Sequence, residues 1–115
     1  MDMDMIVGLD KLSGKINADY CKFVGSALSQ IDSDYERQKE RIRKFNSELQ
    51  FKVGKKYIKF TSGNSVWGFV VLEDDDKFFR GDILKPAGHS APARNFARGN
   101  ILNGRFERVQ WTGAL

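Results

Sequence analysis

Residues 51–72, FKVGKKYIKFTSGNSVWGFVVL, decide the fold class. Phe51 to Phe60 mixes apolar and lysine positions around Gly54, and Val66 to Leu72 is rich in β-branched and aromatic side chains. Between them Thr61-Ser62-Gly63-Asn64-Ser65 is a cluster of turn residues. Short apolar runs of this kind, bounded by Gly, Asn and Ser, predict strands joined by tight turns. Glu73-Asp74-Asp75-Asp76 marks the next turn, and Lys77 to Leu84 and Gly104 to Trp111 read as further strands. Four to five short strands predict a small antiparallel β-sheet curled into an SH3-like or OB-like barrel. Phe69, Val71, Phe79, Ile83, Ile101, Phe106, Val109 and Trp111 are the expected core.

Upstream the period changes. Apolar residues recur at Val24, Leu28, Ile31, Tyr35, Ile42, Phe45 and Leu49, with Gln38 in the one polar slot. Alternating steps of four and three over charged flanks predict an N-terminal long amphipathic helix. Ser33 with Glu36 has the capping-box pattern, so the same stretch also reads as a helical hairpin hinged at Ser33. Cys21 extends the seam backwards and reads as a small buried hydrophobe. The expected architecture is α+β, with a helical segment over 1–50 and a small β domain over 51–115. A helix of this length has more apolar stripe than the β domain can cover. Val24, Leu28, Ile31 and Tyr35 are therefore expected to form a homodimer or partner contact.

Composition narrows the function. At 41% hydrophobic and 30% charged residues in 115, the chain is globular and holds no run of 18 apolar residues, so no membrane partner is expected. Acids at the N-terminus argue against an export signal, and a lone cysteine fits a reducing cytoplasm. Residues 1–50 carry eight Lys/Arg against nine Asp/Glu, and residues 51–115 eleven against six. The net +4 is thus a half at −1 and a half at +5, an asymmetry that points to an anionic partner.

No phosphate loop, dinucleotide fingerprint or zinc-spaced Cys/His set is present in the sequence. Gly88-His89-Ser90-Ala91-Pro92 lacks the second glycine of a nucleophile elbow, and Asp74 to Asp76 lack calcium-loop spacing. His89 has no acid or nucleophile organised around it. The expectation is a protein that is not an enzyme, with no catalytic residue, no cofactor and no metal. The stretch Arg80 to Asn103 holds both prolines, the single histidine and several basic residues in an irregular segment, so it is the expected binding loop. Lys85, His89, Arg94, Phe96 and Arg98 are its candidate contacts. For nucleic acid, Lys52, Lys55, Lys56, Lys59, Tyr57, Trp67, Arg105 and Arg108 add the basic and aromatic ingredients.

GDILKPAGHSAPARNFARGNIL (Gly81–Leu102), followed by VQWTGA (Val109–Ala114), resembles a pattern in small, uncharacterised bacteriophage-encoded proteins. There a GDILK strand leads through an APA loop and an ARGN turn to a closing WTGA strand. The likeness extends over Lys55 to Ala114 and supplies no catalytic residue. It implies a phage protein in the host cytoplasm. The expected function is to bind and inhibit a host protein or protein–nucleic acid complex, such as a CRISPR or restriction defence factor. A nucleic-acid-binding accessory protein is the alternative, and a virion component a third reading.

Overall fold

The structure, a computed structural model, describes residues 1–115 apart from the side chain of Ser29. Its helical half is α1 (Met3–Gly25) and α2 (Tyr35–Glu48), separated by a 3-10 turn at Leu28–Gln30. The Asp2 carboxylate caps α1, accepting from Met5 N at 3.0 Å and satisfying an N–H that the first turn leaves unpaired. Met5, Leu9, Leu12, Ile16, Tyr20 and Val24 follow at steps of three or four and form its inward stripe.

The single long helix expected through Ser33 does not form; the alternative of two helices holds, and the break has a local cause. Ser26 N and Oγ both bond the Lys22 carbonyl, ending α1. Downstream, Asp32 accepts from Asp34 N and from the Arg37 fork, while Asp34 accepts from Arg37 N at 3.0 Å. Side chains that bond nearby backbone in this way compete with helix continuation. The cap of α2 is therefore Asp34, one residue beyond the expected Ser33. Arg37 also holds the Asp32 carboxyl well below its ordinary value, at about 2, chiefly through their hydrogen bond.

The strands are β1 (Leu49–Val53), β2 (Tyr57–Ser62), β3 (Ser65–Val71), β4 (Ile83–Leu84), β5 (Val109–Gln110) and β6 (Gly113–Ala114). Residues 54–56 turn the chain, so the run Phe51 to Phe60 is a hairpin of two strands and not one. β1 to β4 form an antiparallel sheet in sequence order, with a bulge between Phe60 and Thr61; β5 and β6 form a separate two-stranded ribbon. Among the described residues the sheet is open and no closed barrel forms. The outer side of β4 is occupied, since Ile83 N bonds Gly99 O and Arg98 N bonds Ile83 O. The opposite edge, β1, has β2 as its strand partner.

Apolar residues fill both faces of the sheet. On one face Ile58, Phe60, Val70 and Ile83 pack with the α1 stripe, Phe45 of α2 and Ile101, so the helices and the sheet share one core. On the other, Phe69, Val71 and Leu84 pack with Phe78. Phe78, at 3% exposure, takes the place expected for Phe79, which is 70% exposed. The expected strand Lys77 to Leu84 is mostly a turn. Asp75 accepts from Lys77 N and Phe78 N, and Asp82 from Phe79 N, which turns Phe78 inward and Phe79 outward. Phe69, Val71, Ile83 and Ile101 are buried as expected, with Phe106, Val109 and Trp111 half-buried against the core.

Trp111 ties the ribbon to the helices. Its ring lies edge-on to Tyr20 at 5.1 Å, Tyr20 stacks on Phe45 at 4.2 Å, and Trp111 N donates to Asp19 at 2.9 Å. Edge-to-face and stacked aromatic pairs of this kind add about 0.5–1.5 kcal/mol each beyond their buried area. No helix among the described residues is long and apolar enough to cross a membrane.

Candidate interaction surface

The expected loop contacts are held in different ways. The segment Lys85 to Ala93 doubles back through Ala87 N to Ala91 O and Ala93 N to Lys85 O, an ordered hairpin-like turn. Lys85 is half-buried at its base, and His89 is exposed near its tip with Nδ1 3.2 Å from Lys59 Nζ.

Arg94 faces the protein. Its guanidinium pairs with Asp75 at 3.0 Å and Asp76 at 3.6 Å, donates to Tyr57 Oη at 2.5 Å and lies over the Phe78 ring. The hydrogen bond from Arg94 comes first, then those from Phe78 N and Lys77 N, in holding the Asp75 carboxyl far below its ordinary value. Asp75 thus acts as a clamp for two turns. Arg98 is buried: it donates to the Leu115 and Phe96 main-chain oxygens and stacks 3.7 Å from the Phe96 ring centre. These internal bonds occupy the two arginines expected to reach a partner. Phe96 is exposed on its outer side, across a groove of about 470 Å³ from Phe79.

The expected helix contacts also separate. Val24 is buried in the chain's own core and Leu28 is half-buried. Ile31 and Tyr35 are 86% and 68% exposed, but Ile31 lies within the break and Tyr35 opens α2. The four residues do not make one continuous seam. Cys21, expected inside, is exposed. Trp67 is buried too, its Nε1 donating to Gln110 O.

The β1–β2 hairpin is different. Lys52, Lys55 and Lys56 are exposed, Lys59 is half-buried, and none of the four has an ion pair with an acid among the described residues. Lys52 and Lys59 are directly opposed across the strands. Like charges so placed are destabilising, so this arrangement does nothing for the fold.

The backbone of β1 is open as well. Gly54 N bonds Tyr57 O and Gly63 N bonds Glu48 O, which fixes the alternation along the ladder. Even-numbered residues of β1 turn their peptide groups to β2, and Leu49, Phe51 and Val53 turn theirs outward. The Leu49 N–H is taken by Phe45 O at the end of α2. That leaves the N–H groups of Phe51 and Val53 and the carbonyls of all three facing away from the sheet. Phe51 and Val53 are also 47% and 49% exposed on the helix-side face, while Gln50 and Lys52 lie on the other. The lysines were visible in the sequence as basic ingredients. The edge was not, because composition does not say which strand ends a sheet.

No known protein family, curated protein or solved structure matches this chain.

Proposed function

We propose that this chain is a non-enzymatic interaction protein that binds and inhibits a macromolecule of a bacterial host, and that its partner surface is the β1–β2 hairpin. The resemblance of its C-terminal pattern to small phage proteins supports an inhibitor acting in the host cytoplasm, with a defence factor as the class of target. The observation that carries the surface is the coincidence of an open edge strand, exposed Phe51 and Val53, and four lysines without an acid partner. Unpaired like charges held together on a rigid hairpin attract an anionic surface and steer its approach.

The test is capture from host lysate with tagged protein, beside the variant Lys52→Glu/Lys56→Glu. Lys52→Glu turns the opposed Lys52–Lys59 pair into an attractive one, worth about 0.2–1 kcal/mol, and thermal unfolding of the double variant checks its fold, because Lys56 lines a surface hollow with Glu73, Asp74 and Asp75. A one-to-one protein complex that survives nuclease and is lost in the variant is the expected result. Recovery of nucleic acid without a stoichiometric protein overturns it in favour of a nucleic-acid-binding accessory protein. The four lysines without an acid partner give that second reading its specific support. It requires a slope of log affinity against log salt of about −3 for four phosphate contacts.

A further inference from the structure

We infer that β1 takes up an extended acidic peptide segment as an additional strand of the sheet. This rests on the hairpin being the partner surface, and it names the chemistry of what binds there. The outward N–H groups of Phe51 and Val53, with the carbonyls of Leu49, Phe51 and Val53, repeat at the spacing of a β ladder. Another peptide backbone supplies the alternating donors and acceptors that match this row, and a nucleic acid does not.

Side chains define the rest of the strand. An added strand places alternate residues on the two faces of the sheet. On one face they meet Lys52, with Lys59 beside it, and on the other Phe51 and Val53. The complementary sequence therefore alternates carboxylates with apolar residues over about five positions, roughly 17 Å of strand.

Charge disfavours the simplest competitor, a second copy of β1. Antiparallel pairing of two such edges brings two hairpins together, each carrying Lys52, Lys55, Lys56 and Lys59 and no paired acid. Lysine on an edge strand ordinarily discourages pairing with other strands. Here it sits beside exposed apolar side chains, so it selects among strands: cationic ones and further copies are repelled and acidic ones admitted.

The experiment is amide hydrogen exchange, followed by NMR on the ¹⁵N-labelled full chain, with a capped seven-residue peptide alternating glutamate and valine as the probe. At saturation the Phe51 and Val53 amides slow by at least about tenfold, as expected when free edge groups join a ladder. Lys52, already paired to β2, stays as it was. The variant Lys52→Glu/Lys56→Glu loses about tenfold in affinity for this peptide and gains affinity for the lysine–valine analogue. Unchanged exchange at Phe51 and Val53, with the lysine amides shifted by the peptide, overturns strand addition and leaves the hairpin standing as the partner surface. Protection of both amides in the free protein that grows with its concentration also overturns it, because the occupant is then a second copy. A peptide that perturbs nothing in the hairpin, together with a captured partner indifferent to the lysine variant, removes both the inference and the surface on which it rests.

Discussion

Gly99→Ala is the sharpest probe of what the segment Arg80 to Asn103 is for. Gly99 has φ +151° and is buried. A β-carbon there falls 2.3 Å from the Arg105 carbonyl oxygen and 3.4 Å from Ile83 Cδ1. The oxygen cannot simply retreat, since it accepts from Asn100 N at 3.1 Å while Arg105 N donates to Asn100 O at 3.0 Å. Holding a non-glycine residue in such a backbone conformation costs about 1–3 kcal/mol. Opening the Asn100–Arg105 bridge costs about 1 kcal/mol for each bond. Partial relaxation of the 100–105 turn brings the total to about 3 kcal/mol, or roughly 12 °C in Tm for a chain of this size. Gly104→Ala is the matched control: its φ of +76° carries the conformational penalty, but its β-carbon meets nothing within 4 Å. That variant should lose only about 1 kcal/mol. Gly88→Ala, with open space and no positive φ, should be neutral within about 0.5 kcal/mol. Urea unfolding gives all three from the shift in midpoint at constant m-value. Gly99→Ala no worse than Gly104→Ala would refute the close approach of these two chain segments, and with it the view that the ARGN turn is architecture.

Arg98→Ala should destabilise by about 2–3 kcal/mol through loss of its charged hydrogen bonds and its stacking on Phe96. Arg98→Lys, which keeps the charge but not the fork, should still lose more than about 1 kcal/mol in the same assay. A stable Arg98→Ala protein that fails only in partner binding would return Arg98 to the contact surface. Phe78→Ala should cost about 3–5 kcal/mol and Phe79→Ala within about 0.5, with reversal of that order in thermal unfolding contradicting the turn at Asp75. Asp75 has its carboxyl depressed in the folded state, so its contribution is complete above its unfolded value of 3.8 and is lost as pH falls below it. Stability measured against pH should therefore drop below about pH 4, and the drop should be shallower in Asp75→Asn; an unchanged drop in that variant would refute the clamp.

What the sequence made legible follows from which forces act locally. β3 was readable because Val66, Phe69, Val70 and Val71 suit a strand buried on both faces, and the hairpin turn at Gly63-Asn64 is signalled by its own residues. The hinge between the helices was readable as an alternative because Asp32 and Asp34 are residue types that accept from nearby backbone N–H groups, as they do here. The seam through Val24 to Tyr35 was misleading, because the apolar period continues in sequence after the helix carrying it has stopped at Gly25. The stripe from Met5 to Ile16, four or three apart, is shorter than that pattern, yet it is the one the fold buries. Arg94 and Arg98 show the harder case. Their type predicts an anion, and among the groups that satisfy them Asp75 and the Leu115 main-chain oxygen lie 19 and 17 residues away in the chain, placed there by the fold.

The bond from Trp111 N to Asp19, with Ile101 packed over Gly8, also sets an order of events. Asp19 leaves the ribosome more than ninety residues before its partner does, so α1 emerges with its apolar stripe and waits for the sheet and ribbon that will cover it. Contacts this distant in sequence slow folding, because the intervening loop must close before they form. During synthesis α1 is made before the sheet and ribbon that cover it, and for that interval Met5, Leu9, Leu12 and Ile16 lack part of their cover.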